Sequence, residues 1–147
     1  MEVHDIRMSV FGTPAAAASA RQRLVAAIRD WGLPAGSEPL HVAELMAGEL
    51  LSNAVQHAGP GAVTVTARCD GNAIRVEVSD SSRDLPRTRS PSHDDEHGRG
   101  LSIVAALADR YGTEPTASGK RCWAEVRLQA VSSPEVALPV PLPRRRP

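Results

Sequence analysis

The chain has 147 residues, 41% of them hydrophobic and 23% charged, the size and composition of one globular domain around a single core, with no room for a second full domain. Seventeen Lys and Arg balance 17 Asp and Glu, so no net field draws the molecule to nucleic acid or an anionic membrane. Aromatic residues at 3% leave little material for base-stacking surfaces.

No apolar run approaches the roughly 20 residues of a membrane span, and the start Met1-Glu2-Val3-His4-Asp5 lacks the basic and apolar stretches of a secretory signal. These readings predict a cytoplasmic protein without membrane or direct nucleic-acid partners. In chain order, a strand is expected near Asp5 to Val10. Thr13 then Pro14 is a cap followed by a first-turn proline, so a helix is predicted over 14 to 31, with Leu24, Ile28 and Trp31 on one face and Gly32 and Pro34 as its stop. Ser37 opens a second helix running to about Ala58 and ending at Gly59-Pro60-Gly61. Its Val42, Met46, Leu50, Ala54 and Ala58 form an apolar row at i+4 spacing, widened into a core face by Ala47, Leu51 and Val55.

Val63, Val65, Ala67 and Cys69 alternate with polar residues, Asp70-Gly71 turns the chain, and Ile74, Val76 and Val78 alternate again, the pattern of an antiparallel hairpin. Residues 81 to 97 hold Leu85 as their single large apolar residue and read as a long polar loop, a length uncommon unless functional. A helix is predicted from about Gly100 to Tyr111, stopped by Gly112. The last hairpin turns near Ser118-Gly119 and sends Cys122, Ala124, Val126 and Leu128 to one face. Trp123 has the opposite parity, which places it on the outer face, either touching a partner or packed across strands. Cys69 and Cys122 lack CxxC spacing and read as reduced, buried strand thiols, with a disulfide or metal site as the alternative. Residues 132–147 carry five of the twelve prolines and Arg144, Arg145 and Arg146, and read as a flexible tail outside the domain formed by residues 1–131. The order of elements predicts an α+β fold, a two-layer sandwich whose mostly antiparallel, mixed sheet is covered on one face by three helices.

Three features carry chemistry. On the second helix, Leu45, Glu49, Asn53 and His57 form a further i+4 row beside the Met46 row, so a carboxylate, an amide and an imidazole border the core. Such oxygens suit Mg²⁺, a hard ion that keeps its waters and bridges to phosphates; partial exposure to solvent is the alternative. Asp80 shares parity with Ile74, Val76 and Val78, so its carboxylate ends a strand on the core side, where it can accept a hydrogen bond from a ligand's amino group in an apolar slot. His97-Gly98-Arg99-Gly100-Leu101 stands at the end of the polar loop before a helix, where close backbone approach and free N–H groups favour phosphate.

The run Glu49-Leu50-Leu51-Ser52-Asn53-Ala54-Val55-Gln56-His57-Ala58, followed by Val76-Glu77-Val78-Ser79-Asp80 and Gly98-Arg99-Gly100-Leu101, resembles the ATPase domain shared by histidine kinases, gyrase and MutL, the GHKL superfamily with its Bergerat ATP-binding fold. The length and the Gly119-Lys120-Arg121-Cys122-Trp123 ending are most similar to the bacterial anti-sigma-factor serine/threonine kinases, over about residues 5 to 129. The resemblance implies ATP and Mg²⁺ as cofactors. Asn53 would hold the metal, Glu49 would orient or deprotonate the attacking hydroxyl as the catalytic residue, and Asp80 would read the adenine amino group. His57 would lie near the nucleotide, and Gly98, Arg99, Gly100 and Leu101 would close over the phosphates. The implied activity is transfer of the ATP γ-phosphate to an anti-anti-sigma protein, with sequestration of a sigma factor and a homodimeric assembly. A non-catalytic protein-binding module with a vestigial nucleotide site is the alternative. Two stretches depart from the superfamily pattern: its Asp-x-Gly-x-Gly stretch reads Asp80-Ser81-Ser82-Arg83-Asp84 here, without either glycine, and Lys120 follows Gly119 where a threonine is often found.

Overall fold

A computed structural model describes residues 3–34, 36–58, 61–81 and 102–128. Strand β1 (His4–Phe11) leads into helices α1 (Pro14–Arg29) and α2 (Glu38–Ala58), then strands β2 (Ala62–Cys69) and β3 (Ala73–Asp80). A short helix α3 (102–107) precedes strands β4 (Arg110–Pro115) and β5 (Lys120–Arg127). The five described strands form one sheet in the order β1-β2-β3-β5-β4, and all four ladders are antiparallel. No parallel pair occurs among the described residues, so the expected mixed character gives way to uniform antiparallel pairing.

Local signals in the sequence account for most of these elements. Thr13 is extended at φ −119° and ψ 154°, and its hydroxyl accepts a hydrogen bond from the Ala16 N–H at 3.2 Å, with Pro14 in the first turn of α1. Helix α1 ends at Arg29, two residues short of the predicted limit, because Asp30 caps it and Gly32 follows at φ 90°. Trp31 therefore leaves the helical face and stacks on the His4 imidazole, with ring centroids 5.6 Å apart. Between β2 and β3, Gly71 takes φ 94° while Asp70 accepts hydrogen bonds from the N–H groups of Asn72 and Ala73 at 2.9 and 3.2 Å.

The region predicted as a helix from Gly100 to Tyr111 is helical only at 102–107 in the described part. After the Ala108 N–H reaches the Val104 carbonyl, the Asp109 N–H donates to the Glu125 carbonyl at 2.8 Å, and the chain is drawn into the ladder with β5. Gly112, expected to stop a helix, sits inside β4 opposite Trp123. A Cβ there would lie 2.9 Å from the indole Cζ2, so glycine is needed for the ring to cover the strand. The Arg75 guanidinium lies 4.1 Å from the Trp123 ring centroid and that of Arg110 5.6 Å, a cross-strand arrangement on the outer face.

The core fills the layer between helices and sheet. Leu24 and Ile28 from α1, Met46, Leu50 and Leu51 from α2, and Val104 from α3 pack on Val63, Val65, Ile74, Val76, Val78 and Ala124. The predicted inward row of α2 is buried at Val42, Met46, Leu50 and Ala54. Cys69 and Cys122 are buried free thiols. The opposite sheet face carries ion pairs, including Arg75 with Glu77 and Glu125, each at 2.7 Å. No described helix is long and apolar enough to cross a membrane. Residues 132–147, read as a tail, lie outside the described residues.

Candidate functional site

Helix α2 lies over β3 and β5, and its second polar row borders that packed face as the i+4 spacing requires. Asn53 is only 7% exposed. Among the described residues, no hydrogen bond satisfies its side-chain amide. A buried amide that leaves water without a partner is costly. Glu49, one turn earlier, is half-buried at the rim of the same row. His57 continues the row one turn later on α2, and its side chain lies outside the described residues. Gly98, Arg99, Gly100 and Leu101 also lie outside them.

Asp80 is the last residue of β3, buried at 7% exposure on the inner parity predicted for it. The register places it opposite Lys120, the first residue of β5. The Lys120 ammonium donates to both carboxylate oxygens, with Nζ 3.2 Å from Oδ1 and 3.0 Å from Oδ2. Both side chains are almost wholly removed from solvent, at 1% for Lys120 and 2% for Asp80. In so dry a setting, each charge depends on the other, and removing one partner typically costs about 3–5 kcal/mol.

The backbone enforces this contact. A Cβ on Gly119 would collide with the Asp80 carbonyl oxygen and lie 2.6 Å from the Ser81 Cα. Only glycine lets the turn before β5 press against the end of β3 and deliver Lys120 onto Asp80. The Thr116 N–H closes the same turn onto the Gly119 carbonyl at 2.9 Å.

Lys120 is the site residue that sequence reasoning missed. It appeared there only as a replacement for threonine, although its parity with Cys122, Ala124 and Val126 already pointed it inward. Cys122 occupies the next inward position. Burial pushes its thiol up from the ordinary range, and the Thr113 hydroxyl, which donates to its sulfur at 3.6 Å, pulls the other way. No group of three or more His, Cys, Asp or Glu among the described residues is placed to hold a metal ion. A cation here would therefore rely on Asn53 and on oxygens brought by a ligand, as Mg²⁺ does with phosphates.

The sequence matches the family model of the histidine kinase-like ATPase domain over residues 11–126, from the last residue of β1 to the penultimate residue of β5. The chain belongs to the histidine kinase-like ATPase domain family. Among solved structures, this ATPase domain is similar to the histidine kinase domain of the blue-light activated histidine kinase from Erythrobacter litoralis EL346, at 20% identity and a TM-score of 0.47. The match covers 76% of this chain and 61% of that one, so the chain spans less than two thirds of its neighbour's length. No curated protein matches the sequence.

Membership implies ATP as the ligand of the domain. The residues fit that ligand unevenly. The Asn53 amide, without a partner among the described residues, suits a hydrated cation with phosphates, whereas Asp80, the residue expected to meet adenine, is already held by an internal cation.

Proposed function

We propose that this ATPase domain binds ATP with Mg²⁺ and acts as a cytoplasmic regulatory protein kinase of the anti-sigma type. It would pass the γ-phosphate to a serine or threonine of an anti-anti-sigma protein and sequester a sigma factor, as a homodimer. The observation that carries the reading is the buried amide of Asn53 on the α2 face packed toward the sheet, without a hydrogen-bond partner among the described residues, in a chain matching the ATPase family over residues 11–126. Mg²⁺, when bound, neutralises phosphate charge, and catalysis in such transfers is mainly positioning and charge stabilisation. Asn53 offers its side-chain oxygen to that ion. Glu49, one helical turn away, orients the acceptor hydroxyl and takes its proton. In this reading Asp80 would face the adenine amino group, His57 would lie near the nucleotide, and Gly98, Arg99, Gly100 and Leu101 would cover the phosphates.

A second reading, a protein-binding module with a vestigial nucleotide site, is favoured by the Lys120 ammonium on Asp80. Calorimetric titration with ATP and Mg²⁺, followed by a phosphotransfer assay on an anti-anti-sigma protein, separates the two. The kinase reading expects wild type to bind and transfer, Asn53→Ala to lose at least tenfold in Mg²⁺-dependent affinity, and Glu49→Ala to bind but not transfer. Binding without transfer by wild type would favour the module. No binding up to millimolar ATP would overturn nucleotide recognition altogether.

A further inference from the structure

We infer that Lys120 is a specificity-determining residue of the nucleotide site, an internal competitor for Asp80 that weakens ATP binding and relaxes selection at the 6-position of the purine. The inference rests on the reading of Asp80 as the group that meets the base.

A buried carboxylate with no cation beside it would gain its missing partner from the 6-amino group of adenine and would reject a base that offers an oxygen there. Asp80 is not in that condition. Both its oxygens lie within 3.2 Å of the Lys120 ammonium, and there the donor carries a full charge that the neutral amino group of adenine lacks. An incoming adenine must share the carboxylate with the ammonium or displace it, and displacement leaves a buried cation unpaired.

The same ammonium sets donors beside the acceptor oxygens of the carboxylate. A 6-oxo purine can therefore accept from Lys120 where a 6-amino purine donates to Asp80, so the pair tolerates both. The arrangement is built into the backbone: the Gly119 approach to the Asp80 carbonyl and the Asp80–Lys120 register hold Nζ on the carboxylate.

The test compares ATP with inosine triphosphate by calorimetry, in the presence of Mg²⁺, on wild type and Lys120→Met. Wild type is expected to bind the two with affinities within a few-fold of each other. Lys120→Met should bind ATP at least tenfold more tightly and prefer it to inosine triphosphate by at least tenfold, because the ammonium no longer competes for Asp80 or offers a donor to a 6-oxo group. A merely structural role for Lys120 would not change that preference.

Lys120→Gln, which keeps a neutral donor of similar length, serves if the methionine variant does not fold. It should move both quantities in the same direction by a smaller factor. Unchanged affinity and unchanged preference in a folded variant would overturn the inference and leave the nucleotide reading standing. Absence of binding by wild type and both variants would overturn the two together.

Discussion

Two buried polar side chains, Asn53 and Asp80, meet the same desolvation problem in different ways. Asp80 is compensated from within by Lys120, whereas no described residue satisfies the Asn53 amide. One is met by a cation of the fold itself, and among the described residues nothing meets the other. Cys122 shows the milder cost of burial beside that pair. Burial raises its thiol above the ordinary range, so the folded protein keeps a proton that the unfolded chain releases on becoming alkaline. The stability tied to the neutral thiol is fully present below the ordinary thiol range and is lost as pH rises through the raised folded-state value. Urea unfolding of wild type and Cys122→Ala from neutral to alkaline pH should show the advantage of wild type shrinking as pH rises. A constant difference would mean that the thiol does not titrate differently in the two states.

The elements differ in how plainly the sequence announces them. Both long helices and the β2–β3 hairpin carry their own punctuation, in Thr13-Pro14, in the i+4 row from Val42 to Ala54, and in Asp70-Gly71. The end of α3 does not, because Ala105, Ala106 and Leu107 suit a helix and Gly112 looks like its stop. What decides the matter is the Trp123 indole on the partner strand, whose contact with Gly112 is a tertiary fact. Gly112→Ala would place a methyl group against that ring, and overpacking of this kind typically costs about 1–3 kcal/mol. A lowered urea midpoint with altered Trp123 fluorescence is expected, and wild-type stability would show that the indole moves aside freely. The site divides in the same way. Glu49, Asn53 and Asp80 follow from local period and parity, but the meeting of Asp80 with Lys120 depends on a register between strands 40 residues apart.

At the scale of the whole molecule, α2 joins the two layers. Its Met46, fully buried between α1 and the sheet, belongs to the core, while Asn53, two turns on, belongs to the site. Met46→Ala should destabilise the domain by about 2–5 kcal/mol, read as a shift in urea midpoint. Nucleotide affinity of the fraction that remains folded should stay near wild type, since the polar row lies on a neighbouring face. A collapse in affinity with little loss of stability would show that Met46 positions the site.

The sheet order also decides which ladder closes over a distance along the chain. Because β5 lies between β3 and β4, the two hairpins are local units, and the ladder that unites them closes across the long connection from Asp80 to Lys120. The entropy of closing a loop grows only logarithmically, so doubling its length adds about 0.6 kcal/mol. The closure that brings Lys120 onto Asp80, 40 residues away in the chain, therefore depends only weakly on that separation.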